Sequence, residues 1–200
     1  MRWRPYGEQA ALLDCDSLDQ MSAARATVEA AAIPGVIELV PGARSLLVVA
    51  EPPVLDRVRT LLDGADLAHP PAGSPREVTL DVHYDGEDLA MVAREAGLSE
   101  KDVVGLHTGA VYTVAFTGFA PGFGYLTGLP AALRQPRLES PRTRVPAGAV
   151  GVAGEFTGVY PRESPGGWRL LGHTSATLFD PAMDPPALFA PGDRVRFRSV

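Results

Sequence analysis

"GEFTGVYPRESPGGWRLLGHT" (residues 154–174) decides how the C-terminal half of this 200-residue chain is read. It holds five glycines, two prolines, one of the chain's two tryptophans and a histidine, and it is flanked by apolar segments around Ala153 and Leu178. Glycine and proline at this density mark a backbone in unusual φ/ψ values, or one that something approaches closely. The helical signal has already faded by Val111. From there, short β-prone runs alternate with Gly/Pro turns: "VYTVAF" (111–116), "AVGVAG" (149–154), "WRLLGHT" (168–174) and "DRVRFRSV" (193–200). Several short strands with frequent turns favour a closed or nearly closed β-barrel. Just upstream, "DGEDLAMVAREAG" (85–97) and "LSEKDVVGLHTG" (98–109) read as two short helices, the second capped by Ser99.

The first 70 residues have a different texture. "EQAALLDC" (8–15) reads as a strand, and "SLDQMSAARATVEAAA" (17–32) as a helix with Ser17 at its N-cap and Leu18, Met21, Ala24 and Val28 at helical spacing, stopped by "IPG". "GVIELVPGARSLLVVA" (35–50) carries two β-rich runs around Pro41-Gly42, a hairpin signature. "PPVLDRVRTLLDGA" (52–65) is a second amphipathic helix with Val54, Val58, Leu61 and Leu62 on one face. Followed by "EVTLDVHY" (77–84), this order predicts a split βαβ sandwich of ferredoxin-like type. "AHPPAGSPRE" (68–77) reads as a linker. The expected organisation is therefore α+β: an α/β domain over 1–75 and a mostly β domain over 76–200.

Composition narrows the function classes. A net charge of −6 and a pI near 5.2 argue against nucleic acid or anionic membrane as a general partner. No run approaches the roughly 18 apolar residues that span a bilayer, and "MRWRPYGEQAALLDCDSL" (1–18) has acidic residues where a signal peptide keeps an apolar core. A single cysteine, Cys15, fits a reducing compartment, so a cytoplasmic location is expected. With four scattered histidines (His69, His83, His107, His173) and no cysteine pair, no metal site is expected in this chain.

Charge is unevenly spread. Residues 1–75 carry 6 basic and 10 acidic side chains, residues 76–129 carry 3 and 8, and residues 130–200 reverse the sign with 9 against 6. Much of that excess sits in "RQPRLESPRTRVPAG" (134–148), with Arg134, Arg137, Arg142 and Arg144. The segment is either a solvated loop or an anion site, since a guanidinium fork suits phosphate or carboxylate. The phosphate-loop pattern G-x-x-x-x-G-K-[ST] is absent, and the only lysine, Lys101, lies in a predicted helix.

Three stretches together carry a resemblance: "HTGAVYTVAFTGFAPGFGYLTGLP" (107–130), "QPRLESPRTRVPAGAVGVAG" (135–154) and "TGVYPRESPGGWRLLGHT" (157–174). In this order they are similar to the signatures of the KipI family, also called allophanate hydrolase subunit 1, whose members include the B subunit of bacterial 5-oxoprolinase. The resemblance is dense over 78–200 and follows 1–75 by layout. It implies a cyclophilin-like barrel behind the α/β domain, which by itself says nothing of prolyl isomerase activity. It also implies work in a heteromer with a KipA-like C subunit, and with a LamB-like A subunit. The implied substrates are 5-oxoproline and ATP with Mg²⁺, the nucleotide sitting at a site that is non-standard or shared between subunits, and the chain alone would be inactive. Two other roles stay open: inhibition of a sensor histidine kinase, from which the family name comes, and a part in urea degradation.

Carried onto this sequence, the resemblance implies catalytic roles for His107 and Arg142. His107 stands ahead of the Tyr-x-Val strand, and its alternative is a buried, satisfied histidine. For Arg142 and Arg137, in the "PR…PR" motif, the alternatives are ligand or partner contact and structural pairing with acidic neighbours. Substrate- or nucleotide-binding expectations fall on Phe119, Pro121, Gly122, Phe123 and Tyr125 around "GFAPGF", and on Arg144, Pro146 and Gly148 around "VPAG". Turn architecture is the alternative for both loops. In the opening stretch the same expectation covers Tyr160, Ser164, Pro165, Gly166, Gly167 and Trp168, with Trp168 either a wall for a ring substrate or core. His173 stands where relatives usually have Lys or Arg, so a charge there depends on pH. A small anionic ligand or a partner's loop is the expected visitor to the glycine-rich stretch.

Overall fold

The computed structural model describes residues 1–68 and 75–200, so most of the linker read at 68–77, with His69, lies outside the described residues. The chain divides into two compact units, Met1–Ser74 and Pro75–Val200.

The first unit is a four-stranded antiparallel sheet backed by two helices. In chain order it runs β1 (Arg2–Pro5), β2 (Ala10–Asp14), α1 (Leu18–Ala31), β3 (Val36–Pro41), β4 (Ser45–Ala50) and α2 (Pro52–Asp63), with sheet order β1-β2-β4-β3. Ser17 caps α1 by accepting the Gln20 N–H, and β3 and β4 form the expected hairpin. Alternation builds the core: Ala11 and Leu13 of β2 and Leu46, Val48 and Ala50 of β4 are buried against Met21, Ala24 and Val28 of α1 and Leu55, Val58 and Leu62 of α2. The predicted face of α2 is thus rotated slightly, with Leu55 buried and Val54 and Leu61 packed at its margin.

The ferredoxin-like expectation needs a correction. Glu77–Val82, predicted as the last strand of this sandwich, pairs elsewhere, and the sheet edge beside β2 is occupied by β1, in register from Arg2↔Asp14 to Pro5↔Ala11. The strand "RWRP" is short, charged and proline-terminated, and its identity comes from pairing rather than from pattern.

The second unit contains β5 (Glu77–Val82), α3 (Leu89–Ala96), α4 (Glu100–Gly109), β6 (Tyr112–Thr117), β7 (Gly124–Thr127), β8 (Arg142–Val145), β9 (Ala149–Ala153), β10 (Phe156–Val159), β11 (Ser164–Gly166), β12 (Arg169–His173) and β13 (Arg194–Ser199). Seven strands form one sheet in the order β12-β9-β10-β7-β6-β13-β5, and β11 and β8 form a separate ribbon. Residues following β5 curl the sheet nearly shut. His83 and His173 exchange backbone hydrogen bonds of 2.9 Å in both directions, and Gly86 and Asp88 donate to Leu171 and Leu170 at 3.1 Å. The result is a nearly closed barrel-like sheet.

Its inside is filled by Val114, Leu126, Val150, Val152, Leu171, Val195 and Phe197 together with Val92, Ala93 and Val103 of the two helices. Ser99 closes a capping box on α4 with Asp102. A second apolar cluster lies on the alternate positions of the same strands: Phe123, Ala149, Ala153, Tyr160, Trp168 and Leu170, with Tyr125 and Phe156 packed against it.

Candidate functional site

That second cluster gathers the aromatic residues singled out in the sequence. Tyr125 comes from β7, Phe119 and Phe123 from the loop before it, Tyr160 from the position just after β10, and Trp168 from the position just before β12. Phe123 is the hub, with ring centroids 5.0 Å from Tyr125, 5.4 Å from Trp168, 5.5 Å from Tyr160 and 5.3 Å from Phe119, all edge-to-face. Phe116, stacked on Tyr125 at 4.3 Å, and Phe156 extend the cluster. Neither is among the residues expected from sequence. Phe156 alternates with the inward Val159, but Phe116 shares the parity of the inward Tyr112 and Val114 and joins the outer cluster only through the register shift between Val114 and Phe116.

Two of the glycines in residues 154–174 serve this cluster. A Cβ on Gly158 would lie 3.1 Å from the Trp168 ring and 3.2 Å from Phe123, and Gly166 is pressed by the Tyr160 ring. What approaches Gly158 and Gly166 is therefore the chain itself. Phe123, Tyr160 and Trp168 are at most 4% exposed and form a packed wall. Burial pushes the Tyr160 phenol above its ordinary value, opposed in part by the Trp168 backbone and the nearby Arg137 and Arg142.

The openings lie at the margins. Phe119 and Pro121 are exposed and Tyr125 is half-buried, while Gly122, at φ 84, is buried in a turn against Leu178 and Phe179. Residues 117–122, 185–187 and 189–191 line an open, apolar cavity of about 590 Å³. Pro146 and Gly148 form the turn between β8 and β9, and Gly148, at φ 80, lies against the Thr174 carbonyl. Ser164, Pro165 and Gly166 make up β11, with Gly167 buried just beyond it.

Two residues expected to be catalytic are committed elsewhere. Arg142 donates to Asp88 at 2.8 Å and Glu87 at 3.3 Å. The other Asp88 oxygen accepts the Leu170 N–H at 2.8 Å, which explains why this N-cap residue makes no side-chain cap on α3. Asp88 thus ties the start of α3 to β12 and β8, and Arg142 takes the structural alternative because its charge is already neutralised. The hydrogen bond to Asp88 leads in holding the guanidinium protonated.

His107 is completely buried in the barrel interior, stacked on Phe197 at 4.5 Å. The Thr157 hydroxyl donates to the Gly151 carbonyl at 3.0 Å, so it accepts from His107 Nε2–H at 3.0 Å, and the Tyr84 hydroxyl then donates to Nδ1 at 2.7 Å. Burial pulls the imidazole pKa down to about 3. With both nitrogens hydrogen-bonded and no exposed face, His107 has the surroundings of a buried, satisfied histidine.

Arg144 pairs with Glu163 at 2.6 Å, and the buried Arg169 pairs with Glu95 at 2.5 Å while donating to Gln135 at 2.6 Å and the Pro136 carbonyl at 2.9 Å. Arg137 is exposed and forms no ion pair with any described residue. His173 stands apart from the aromatic wall, at the barrel seam, where it stacks on His83 at 5.2 Å and contacts Asp85 at 2.8 Å. The arrangement therefore offers a rigid aromatic wall, one uncompensated guanidinium near Tyr160, and an apolar cavity beside Phe119.

The comparisons agree on one lineage. The family described as the carboxyltransferase domain, subdomain C and D, matches residues 1–189. The 5-oxoprolinase B subunit of Escherichia coli O157:H7 is 47% identical over 171 residues, 82% of this chain and 78% of that protein. A protein of the same name from Bacillus subtilis (strain 168) is 39% identical over 194 residues, 88% of this chain and 80% of that protein. The solved structure of the protein TTHA0988 is 38% identical with a TM-score of 0.82; the match covers 96% of this chain but 40% of that longer one. This chain thus belongs to the carboxyltransferase subdomain C and D family.

Proposed function

We propose that the chain is the B subunit of an ATP-dependent 5-oxoprolinase, a cytoplasmic hydrolase converting 5-oxoproline, ATP and water to glutamate, ADP and phosphate. It works beside a KipA-like C subunit, and beside a LamB-like A subunit; alone it is inactive. The observation that carries the reading is the 47% identity, over most of both chains, with the 5-oxoprolinase B subunit of Escherichia coli O157:H7. The barrel is read as cyclophilin-like and the first unit as a ferredoxin-like sandwich whose outer strand comes from the N-terminus.

The chemistry explains the nucleotide. A five-membered lactam is resonance-stabilised and a poor electrophile. Transfer of the γ-phosphoryl group to the lactam oxygen forms one O–P bond as the bond to ADP breaks. Water then adds to the activated carbon, the ring C–N bond opens with a proton passing to nitrogen to leave an acyl phosphate of glutamate, and a second water displaces phosphate from that carboxyl group. Such a step needs positioning and charge stabilisation more than a nucleophile from the protein. This chain supplies flat apolar surface at Tyr125 and the guanidinium of Arg137 for a carboxylate or phosphate. The remaining cations come from the companion subunits, because Arg142, Arg144 and Arg169 are neutralised by carboxylates.

The test is ATP-dependent glutamate formation from 5-oxoproline by the three purified proteins, omitting each in turn. Activity is expected only with all three present. Full activity without this chain, or lactam opening without nucleotide, would overturn the reading.

A further inference from the structure

We propose that the Phe119 loop and the cavity beside it form the docking site for another subunit of the hydrolase, which enters with an apolar side chain on a basic-flanked segment. The inference rests on the proposed function for the existence of that subunit, and on this chain alone for the place and chemistry of the contact.

Phe119 combines two features that are unfavourable within the unit. Its ring is 57% exposed, and its φ is 68°, a left-handed value that bulky side chains rarely adopt. The strain is built in by hydrogen bonds. Ala120 N–H donates to the Gly118 carbonyl at 2.8 Å, making a γ-turn centred on Phe119, and Phe123 N–H donates to the Ala120 carbonyl at 2.9 Å across Pro121-Gly122. The ring then rests edge-on against the buried Phe123 and Tyr160 at 5.3 and 6.1 Å. A strained loop thus holds a large apolar side chain in water in one fixed pose, the state of an interface anchor that loses little entropy on binding.

Its surroundings continue the apolar surface. Phe179 and Met183, 37% and 63% exposed, lie on the segment that packs behind Gly122, and the cavity of about 590 Å³ opens between this loop and residues 185–191. The charges within these segments have one sign, and Arg76, which donates to the Leu188 carbonyl, is paired with Asp193. From Thr174 to Gly192 the only charged residues are Asp180 and Asp184, and Gly118 to Phe123 has none. An apolar floor with an acidic rim fits a segment flanked by Lys or Arg.

The experiment uses the full chain and the purified KipA-like protein, with light scattering after size exclusion and calorimetry for affinity. The wild-type pair is expected to form a complex. Phe119→Asp should weaken it roughly thirtyfold or more without lowering Tm. Phe119→Gly, which relieves the left-handed φ, should hold or raise Tm while still losing affinity. Asp184→Lys should weaken binding and flatten its salt dependence. Unchanged affinity in Phe119→Asp would overturn the inference while leaving the proposed function standing. Failure of the wild-type proteins to associate would remove both. Self-association of the chain alone that Phe119→Asp abolishes would give the surface to a second copy and overturn the assignment to another subunit.

Discussion

The Asp88–Arg142 pair lies where an unpartnered carboxylate is expensive: the Asp88 side chain is 6% exposed and that of Arg142 is 22% exposed. Removing the guanidinium leaves Asp88 with one backbone donor, so Arg142→Ala is expected to lower folding stability by about 2 to 4 kcal/mol. Arg142→Lys should recover part of it, since the ammonium keeps the charge but cannot reach both Asp88 and Glu87 as a fork does. Denaturant unfolding measures both, and a normal unfolding midpoint in Arg142→Ala would return the residue to ligand binding. Arg137 gives the opposite expectation: Arg137→Ala should leave the midpoint unchanged and lower turnover of the assembled enzyme roughly tenfold or more. Normal turnover would remove the anion role. At His107 the folded pKa of about 3 lies below the unfolded value near 6.5. Below pH 6.5 the unfolded chain binds a proton that the folded chain refuses, so this group's contribution is intact above pH 6.5 and lost as pH falls toward 3. The loss is about 1.4 kcal/mol per pH unit. His107→Gln should shallow that acid limb relative to wild type, and a parallel limb would show that the imidazole does not set it.

At the scale of elements, legibility follows the range of the interactions. Helices α1 and α4 were visible because Ser17 and Ser99 cap them within three residues, and the β3–β4 hairpin because its turn is local. Strand β1 and the partner of β5 were not visible: "RWRP" has no pattern, and Glu77 pairs with Arg194 across the whole second unit. The same limit applies to the site. Phe119, Phe123, Tyr125, Tyr160 and Trp168 are legible as candidates in their own stretches, but Phe116 and Phe156 are not. The carboxylates that claim Arg142, like the rings that fill the space over Gly158, come from distant segments. This gives a test of the wall. Gly158→Ala would place a Cβ 2.9 Å from the Gly124 carbonyl and close to two rings, and should destabilise by roughly 1 to 3 kcal/mol. Gly154→Ala, at φ 59 with open space around it, should lose only about 1 kcal/mol to backbone strain. Equal midpoints for the two variants by denaturant unfolding would mean the rings do not need the glycine.

At the scale of the whole molecule, the question is how much of a nucleotide site one chain can hold. ATP with magnesium is an anion, and this chain itself carries −6. Of the nine basic residues in 130–200, Arg142, Arg144, Arg169 and Arg198 each face a carboxylate within 3.3 Å, while Arg134, Arg137, Arg162, Arg194 and Arg196 form no ion pair with a described residue. A triphosphate approaching Arg142 or Arg169 would have to displace Asp88 or Glu95 first, giving up one charge-assisted contact for each one gained. The exposed Arg137 is left as one cation beside the wall, enough to orient an anion but not to hold a polyphosphate against water. The isolated chain is therefore expected to show no heat of MgATP binding at micromolar to hundred-micromolar nucleotide. The assembled complex should bind it, and Arg137→Ala in that complex should weaken the binding or slow the chemistry without dissociating the subunits. Titration calorimetry on the chain, the pair with the KipA-like protein, and the full complex separates the cases. Micromolar binding by the chain alone would mean that the arginines exchange their carboxylates readily, and a site shared between subunits would have to be abandoned.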